Sequence, residues 1–312
     1  MTARVCLTIF ALSLACTPAA QADPNRPPAS SSGIASVEAP RSGSPSGSAS
    51  PPAPGDQGWA GSFASVGADV RRGAPLVTYV VVPLCDNRQI DCGSTAAGAP
   101  GRLETNLYWG AIFGARRFFE RKASTWTRVE LTQGAPPFLE RAIYRRSAPG
   151  APWGTTEPIE QLVVFQAVHG ASIDEAVRRF WTLATEGGRV VFQDGDRRRD
   201  ERIHVAGYAG HNRLMDGLAL PPAPAVKAAI PSFVLACYSE RYFAPALGAA
   251  GSDLLLSMRA LMAPEGYLID ALARALGDNE PLGAVRSRTV AAYAKWQRLS
   301  IGTASPMFSP AR

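Results

Sequence analysis

The apolar positions of this chain fall into two patterns. Continuous runs rich in Val, Ile and Phe recur at "PLVTYVVVPLC" (residues 75–85), "QLVVFQAV" (161–168), "RIHVAGYAGH" (202–211) and "SFVLAC" (232–237). An unbroken β-branched run is the mark of a strand covered on both faces, the usual state of a parallel strand. "WTRVELT" and "FLERAIYR" alternate instead and are separated by the turn "QGAPP", which predicts an antiparallel hairpin. The second pattern is helical. In "SIDEAVRRFWTLATEGG" (172–188), Ile173, Val177, Phe180, Trp181 and Ala184 draw one stripe, Ser172 and Glu175 have capping-box spacing, and Gly187-Gly188 ends the element. "NLYWGAIFGARRFFERK" (106–122), "APEGYLIDALARALG" (263–277) and "EPLGAVRSRTVAAYAKWQRLS" (280–300) read as further helices, "DLLLSMRAL" as a strand, and 194–201 as a charged loop. Strands alternating with helices, interrupted by one hairpin, predict a single α/β domain with a mainly parallel sheet.

Composition changes the picture at the two ends. Arg4 followed by an apolar segment from Val5 to Leu14, then Ala20-Gln21-Ala22, has the layout of a cleavable export signal over 1–22. "LSLAC" also resembles a bacterial lipoprotein box, so a lipid on Cys16 is an alternative that would tether the protein to a membrane. Residues 23–56 contain 21 Pro, Gly or Ser, too little apolar surface to offset the entropy of ordering them, and a disordered linker is expected over 23–73. The folded domain is then 74–300, with a C-terminal tail at 301–312. The formal charge is +6, but the Arg doublets and the triplet 197–199 carry no interleaved aromatics, so solvated loops are expected and no nucleic-acid partner.

The cysteines carry the chemistry. Five are present, two of them in the leader. Cys85 and Cys92 bracket "CDNRQIDC" and are natural disulfide partners in an oxidising compartment outside the cytoplasm, in the periplasm, cell envelope or medium. That leaves Cys237 unpaired at the end of a strand. His211 ends the preceding strand, and sites in open α/β sheets form beyond the carboxyl ends of strands. An imidazole beside a thiol makes it a working nucleophile. Trp109, Trp181 and His204 read as core residues, and neither a metal nor a cofactor is expected.

"AGYAGHN" and "FVLACYS" resemble the caspase, gingipain, legumain and separase clan of cysteine peptidases, in which a Gly-flanked His and an Ala-Cys end successive strands. The resemblance implies a caspase-like three-layer α/β sandwich, peptide-bond hydrolysis of a peptide or protein substrate, Cys237 as nucleophile and His211 as base. Backbone amides among Gly210, Asn212 and Ala236 would hold the oxyanion. It further implies a substrate pocket near the end of the first strand, where Asp86 and Asp91 would favour a basic side chain, with Asp216 and Ser239 in reach of substrate. "NLYWG" and "GHNRLMDG" also resemble an uncharacterised family of exported bacterial proteins. The clan has His-Gly where this chain has His211-Asn212, and Asn is the next best residue at positive φ. A rival His169-Gly170 ends another strand. A 2-1-3-4 order of the four parallel strands would put it three positions from Cys237, about 14 Å away. A catalytically silent caspase-like interaction module and a structural lipoprotein are the alternatives to an enzyme.

Overall fold

The computed structural model describes residues 58–225 and 228–311, all within the compact unit Ser50–Arg312. The proposed export signal, Cys16 and the linker up to residue 57 lie outside the described residues. Among the described residues no helix is long and apolar enough to cross a membrane.

The strands are β1 (Leu76–Pro83), β2 (Thr127–Gln133), β3 (Phe138–Ala148), β4 (Ile159–Val168), β5 (Arg189–Asp194), β6 (Arg197–Arg202), β7 (Val205–Ala209), β8 (Ser232–Leu235) and β9 (Leu254–Leu256). Seven form one sheet in the order β2-β3-β4-β1-β7-β8-β9. The pairs β4–β1, β1–β7, β7–β8 and β8–β9 are parallel, and the β2–β3 hairpin adds to the β4 edge antiparallel. The four predicted parallel strands therefore take the 2-1-3-4 order.

Every residue of β1 is buried because both faces are covered. Leu76, Val80 and Val82 pack with α1 (Ala64–Arg71), α2 (Ala115–Phe119), α5 (Gly266–Gly277) and α6 (Leu282–Gln297). Val77, Tyr79 and Val81 pack with α3 (Ile173–Glu186) and α4 (Ser239–Ala250). The result is three layers, helix on sheet on helix. Each fully buried Val or Phe of this kind contributes roughly 1.5–3 kcal/mol.

The α3 stripe is buried as the spacing predicts, and Gly187 ends the helix at φ +70°. The capping box does not form. Ser172 closes a 3-10 turn with φ −107° and ψ 31°, which keeps its hydroxyl away from the helix amides, and Glu175 pairs with Arg178 instead.

Four other expectations are corrected. Only Ala115–Phe119 of the segment 106–122 is helical. The buried Asn106 side chain bonds Cys85 N and O, Ala99 O and Tyr108 N, and this competition replaces the first turns of the helix with a run of tight turns. The charged loop 194–201 is a hairpin, β5–β6, turning at Gly195 with φ +61°. The linker expected over 23–73 is folded from at least residue 58. Trp59 is buried, donates Nε1 to Leu276 O at 2.8 Å, and meets Trp153 edge to face. The expected tail at 301–312 is also folded. Ile301–Ala304 forms α7, Phe308 is buried and bridged to Met258, and the Arg286 guanidinium bonds the carbonyls of Ser305 and Ser309.

Candidate active site

The β7–β8 ladder ends at the pair Ala209↔Leu235. His211 and Cys237 each follow two residues later, so both lie at the carboxyl edge of adjacent parallel strands. Two bonds tie these ends together. Gly210 N donates to Leu235 O at 3.2 Å, and Asn212 Nδ2 donates to Cys237 O at 2.6 Å.

Asn212 is wholly buried and sits at φ −84°, not at the positive φ expected of it. It does not use the left-handed region open to Gly. Its Oδ1 accepts from Leu214 N at 3.1 Å and caps the 3-10 turn Arg213–Asp216, while its amide nitrogen holds the Cys237 carbonyl. The Asn212 side chain thus clamps two strand ends.

That turn brings Asp216 back onto the histidine. His211 Nε2 lies 2.7 Å from Asp216 Oδ2, and Tyr208 Oη donates to His211 O at 2.7 Å. Arg213 links the turn to α3 through Asp174 at 3.0 Å and lies 3.6 Å from Asp216. Asp216 therefore holds the histidine.

Cys237 is the free thiol among the described residues and is partly buried. It sits between β8 and α4, and the next residue, Tyr238, is left-handed at φ 50°. A non-glycine residue forced there marks a tight strand-to-helix turn. The sulfur is gripped by one residue, accepting from Met262 N at 3.4 Å and donating to Met262 O at 3.5 Å. Burial pushes the thiol above its ordinary value, an effect only partly offset by the Met262 amide. The phenols of Tyr108 and Tyr293 lie close enough to feel its charge. Tyr293 is pushed up to about 12, chiefly by burial and also by the Glu265 and Cys237 charges. Glu265 is itself raised by burial. No hydrogen bond joins the thiol to the His211 ring, which is turned to Asp216.

The other expected site residues divide. The Cys85–Cys92 disulfide is formed, with an S–S distance of 2.03 Å. Asp86 is buried and doubly bonded by Arg88, whose guanidinium holds its carboxyl below the usual range, so it is no open counter-charge for a basic side chain. Asp91 is exposed and caps its own turn through Gly93 N at 2.8 Å. Ser239 is buried, donating to Val234 O at 2.8 Å and accepting from Met258 N at 2.9 Å, so it anchors structure and cannot touch substrate. Ala236 is fully buried, and the Gly210 amide is spent in the ladder, which removes it as an oxyanion donor. The Asn212 and Cys237 amides donate to no backbone carbonyl among the described residues.

A cleft of about 660 Å³ reaches the site at Asp216, although neither His211 nor Cys237 lines it. Arg88 and Gln89 after β1, Asp174 and Arg178 at the start of α3, and Arg213 and Asp216 line it. These loops follow β1, β4 and β7, the point where the chain switches sides of β1 and where open α/β sheets hold ligands.

His169 follows β4, three strands from β8, and its Nδ1 accepts from Ala171 N at 3.2 Å. Trp109, Trp181 and His204 are buried. Among the described residues no three His, Cys, Asp or Glu are placed to hold a metal ion. Met262, Glu265, Tyr108 and Tyr293 were not expected at the site. Position held a signal for Met262: it follows β9 as Cys237 follows β8, so both loops meet at one edge.

Compared with known proteins, the chain matches no family model, no curated protein and no solved structure.

Proposed function

We propose that this protein is a cysteine-dependent peptidase built on a caspase-like domain, exported to the cell envelope or beyond, with or without a lipid on Cys16. The β7–β8 register carries the reading, because it ends two neighbouring strands in His211 and Cys237. The Cys85–Cys92 bridge supports an oxidising compartment.

In the proposed reaction the His211 ring takes the Cys237 proton as the sulfur attacks the scissile carbonyl. With Nε2 held by Asp216, Nδ1 is the nitrogen left for that proton. The protonated ring then gives the proton to the leaving amine, and a thioester remains. Water, deprotonated by the same ring, hydrolyses it and restores the thiol. The Asn212 and Cys237 amides are the candidates to hold the oxyanion. Asp216 and the loops after β1 and β4 form the wall along which a peptide would lie.

A second reading is a silent interaction module of the same fold. The hold of Met262 on the sulfur, together with the upward push of burial on the thiol, favours it. Hydrolysis of a peptide library by wild type, Cys237→Ala and His211→Ala separates the two. The peptidase reading expects both variants to fall at least about 100-fold. Equal turnover by all three ends it.

A further inference from the structure

The segment between β9 and α5 carries an unusual set of contacts. Its first part is built into the fold. Ser257 and Ser309 exchange hydrogen bonds, Arg259 N donates to Met307 O at 2.8 Å, and Glu240 N donates to Met258 O at 3.0 Å. Its last residues are anchored again where Gly266 N meets Phe113 O at 2.6 Å. Between these anchors the segment holds on chiefly through the site. Tyr238 N donates to Ala260 O at 3.1 Å, Met262 bonds the Cys237 sulfur from both its N–H and its carbonyl, and the Ala263 backbone meets the Tyr293 phenol. Leu261 is 47% exposed and Ala263 is only partly buried, so the apolar hold on this stretch is confined to Met262, which is partly buried against the core, and to the buried Pro264 at its end.

We infer that residues 260–264 form a self-inhibitory strap, hinged near Arg259 and Gly266, which covers Cys237 in the resting protein and must swing away before the thiol can react. The inference rests on the reading of Cys237 as the nucleophile. The strap occupies the groups the chemistry needs. Its carbonyls accept from the sulfur and from the Tyr238 amide, the first beyond the thiol at the start of α4, where a helix N-terminus would otherwise favour a developing negative charge. Lifting it releases the thiol proton for the His211 ring and uncovers that amide in one movement. Departure costs three backbone contacts, the Tyr293 contact and the packing of Met262 against the core, while the anchored segments on either side stay in place.

The test reads the thiol directly and does not depend on peptide turnover. Leu261→Gly with Ala263→Gly in the full chain raises the entropy of the detached strap without touching the core, and iodoacetamide labelling of Cys237 at constant pH should speed up about tenfold. Amide exchange supplies the second reading. The Met262 and Tyr238 amides should accelerate together in the glycine variant, while Arg259 and Glu240 keep their protection. An unchanged labelling rate, or independent exchange of Met262 and Tyr238, overturns the strap. Faster labelling with no hydrolysis of any peptide upholds the strap and counts against the peptidase reading alone.

Discussion

Two histidines bracket β7, and both face an aspartate. His204 precedes the strand, with Nδ1 accepting from Val77 N at 3.2 Å and Nε2 at 3.4 Å from Asp69. His211 follows it, with Nε2 at 2.7 Å from Asp216. At the amino edge the ring is enclosed and both nitrogens are committed, so the imidazole serves as a fixed acceptor for a backbone amide. At the carboxyl edge the ring is 12% exposed, its Nε2 is held by Asp216, and no group among the described residues bonds its Nδ1. Residue type and partner are the same at the two ends. What differs is which edge of a parallel sheet each occupies, and only the carboxyl edge leaves a nitrogen available for proton transfer.

The largest effect expected from breaking this contrast is on stability. His204→Phe leaves the buried Val77 amide without its acceptor and should cost about 2 kcal/mol in urea unfolding near neutral pH. The pH dependence follows with a definite sign. Burial holds the His204 pKa below its ordinary value, despite the nearby Asp69 charge. The unfolded chain therefore binds the extra proton first. His204 contributes stability above about pH 6.5 that is lost as pH falls through its folded pKa, at up to ~1.4 kcal/mol per pH unit. The His204→Phe variant should lose that part of the slope, and an unaltered acid profile would remove His204 as its source. The smallest effect is at the other end. Asp216→Ala frees the His211 ring but leaves the fold, because Asp216 is 42% exposed. It should lower kcat about fivefold with little change in KM, the rate equivalent of ~1 kcal/mol for an exposed pair. A raised KM at constant kcat would instead make Asp216 a substrate contact.

The same contrast explains what the sequence disclosed. Strands covered on both faces leave continuous apolar runs, so β1, β4, β7 and β8 were legible as strands, while their order was a supposition that the sheet bears out, and with it the edge shared by His211 and Cys237. The β5–β6 hairpin was not, because it buries mainly Val190 and Phe192 and is otherwise a lattice of charges such as Arg189–Asp200 and Arg199–Glu160. Trp59 was hidden for a different reason. A lone aromatic beside a Pro/Ser/Gly-rich stretch gives no periodicity, and its value comes from a bond to Leu276, far along the chain. At the site, residue types and strand ends announced the thiol and the imidazole. The hydrogen bonds that orient them came from Asn212 and Asp216, whose place in the turn after His211 did not reveal their partners, and from Met262, which a separate loop brings in.

In the proposed mechanism His211, and not His169, serves Cys237. Labelling with a library of peptidyl acyloxymethyl ketones, with the adduct located by mass spectrometry, tests it most directly. A thioether on Cys237 is expected, formed at least about 100-fold more slowly in His211→Ala and at the wild-type rate in His169→Ala. Labelling of Cys237 that is indifferent to His211, or that is lost in His169→Ala, would contradict it.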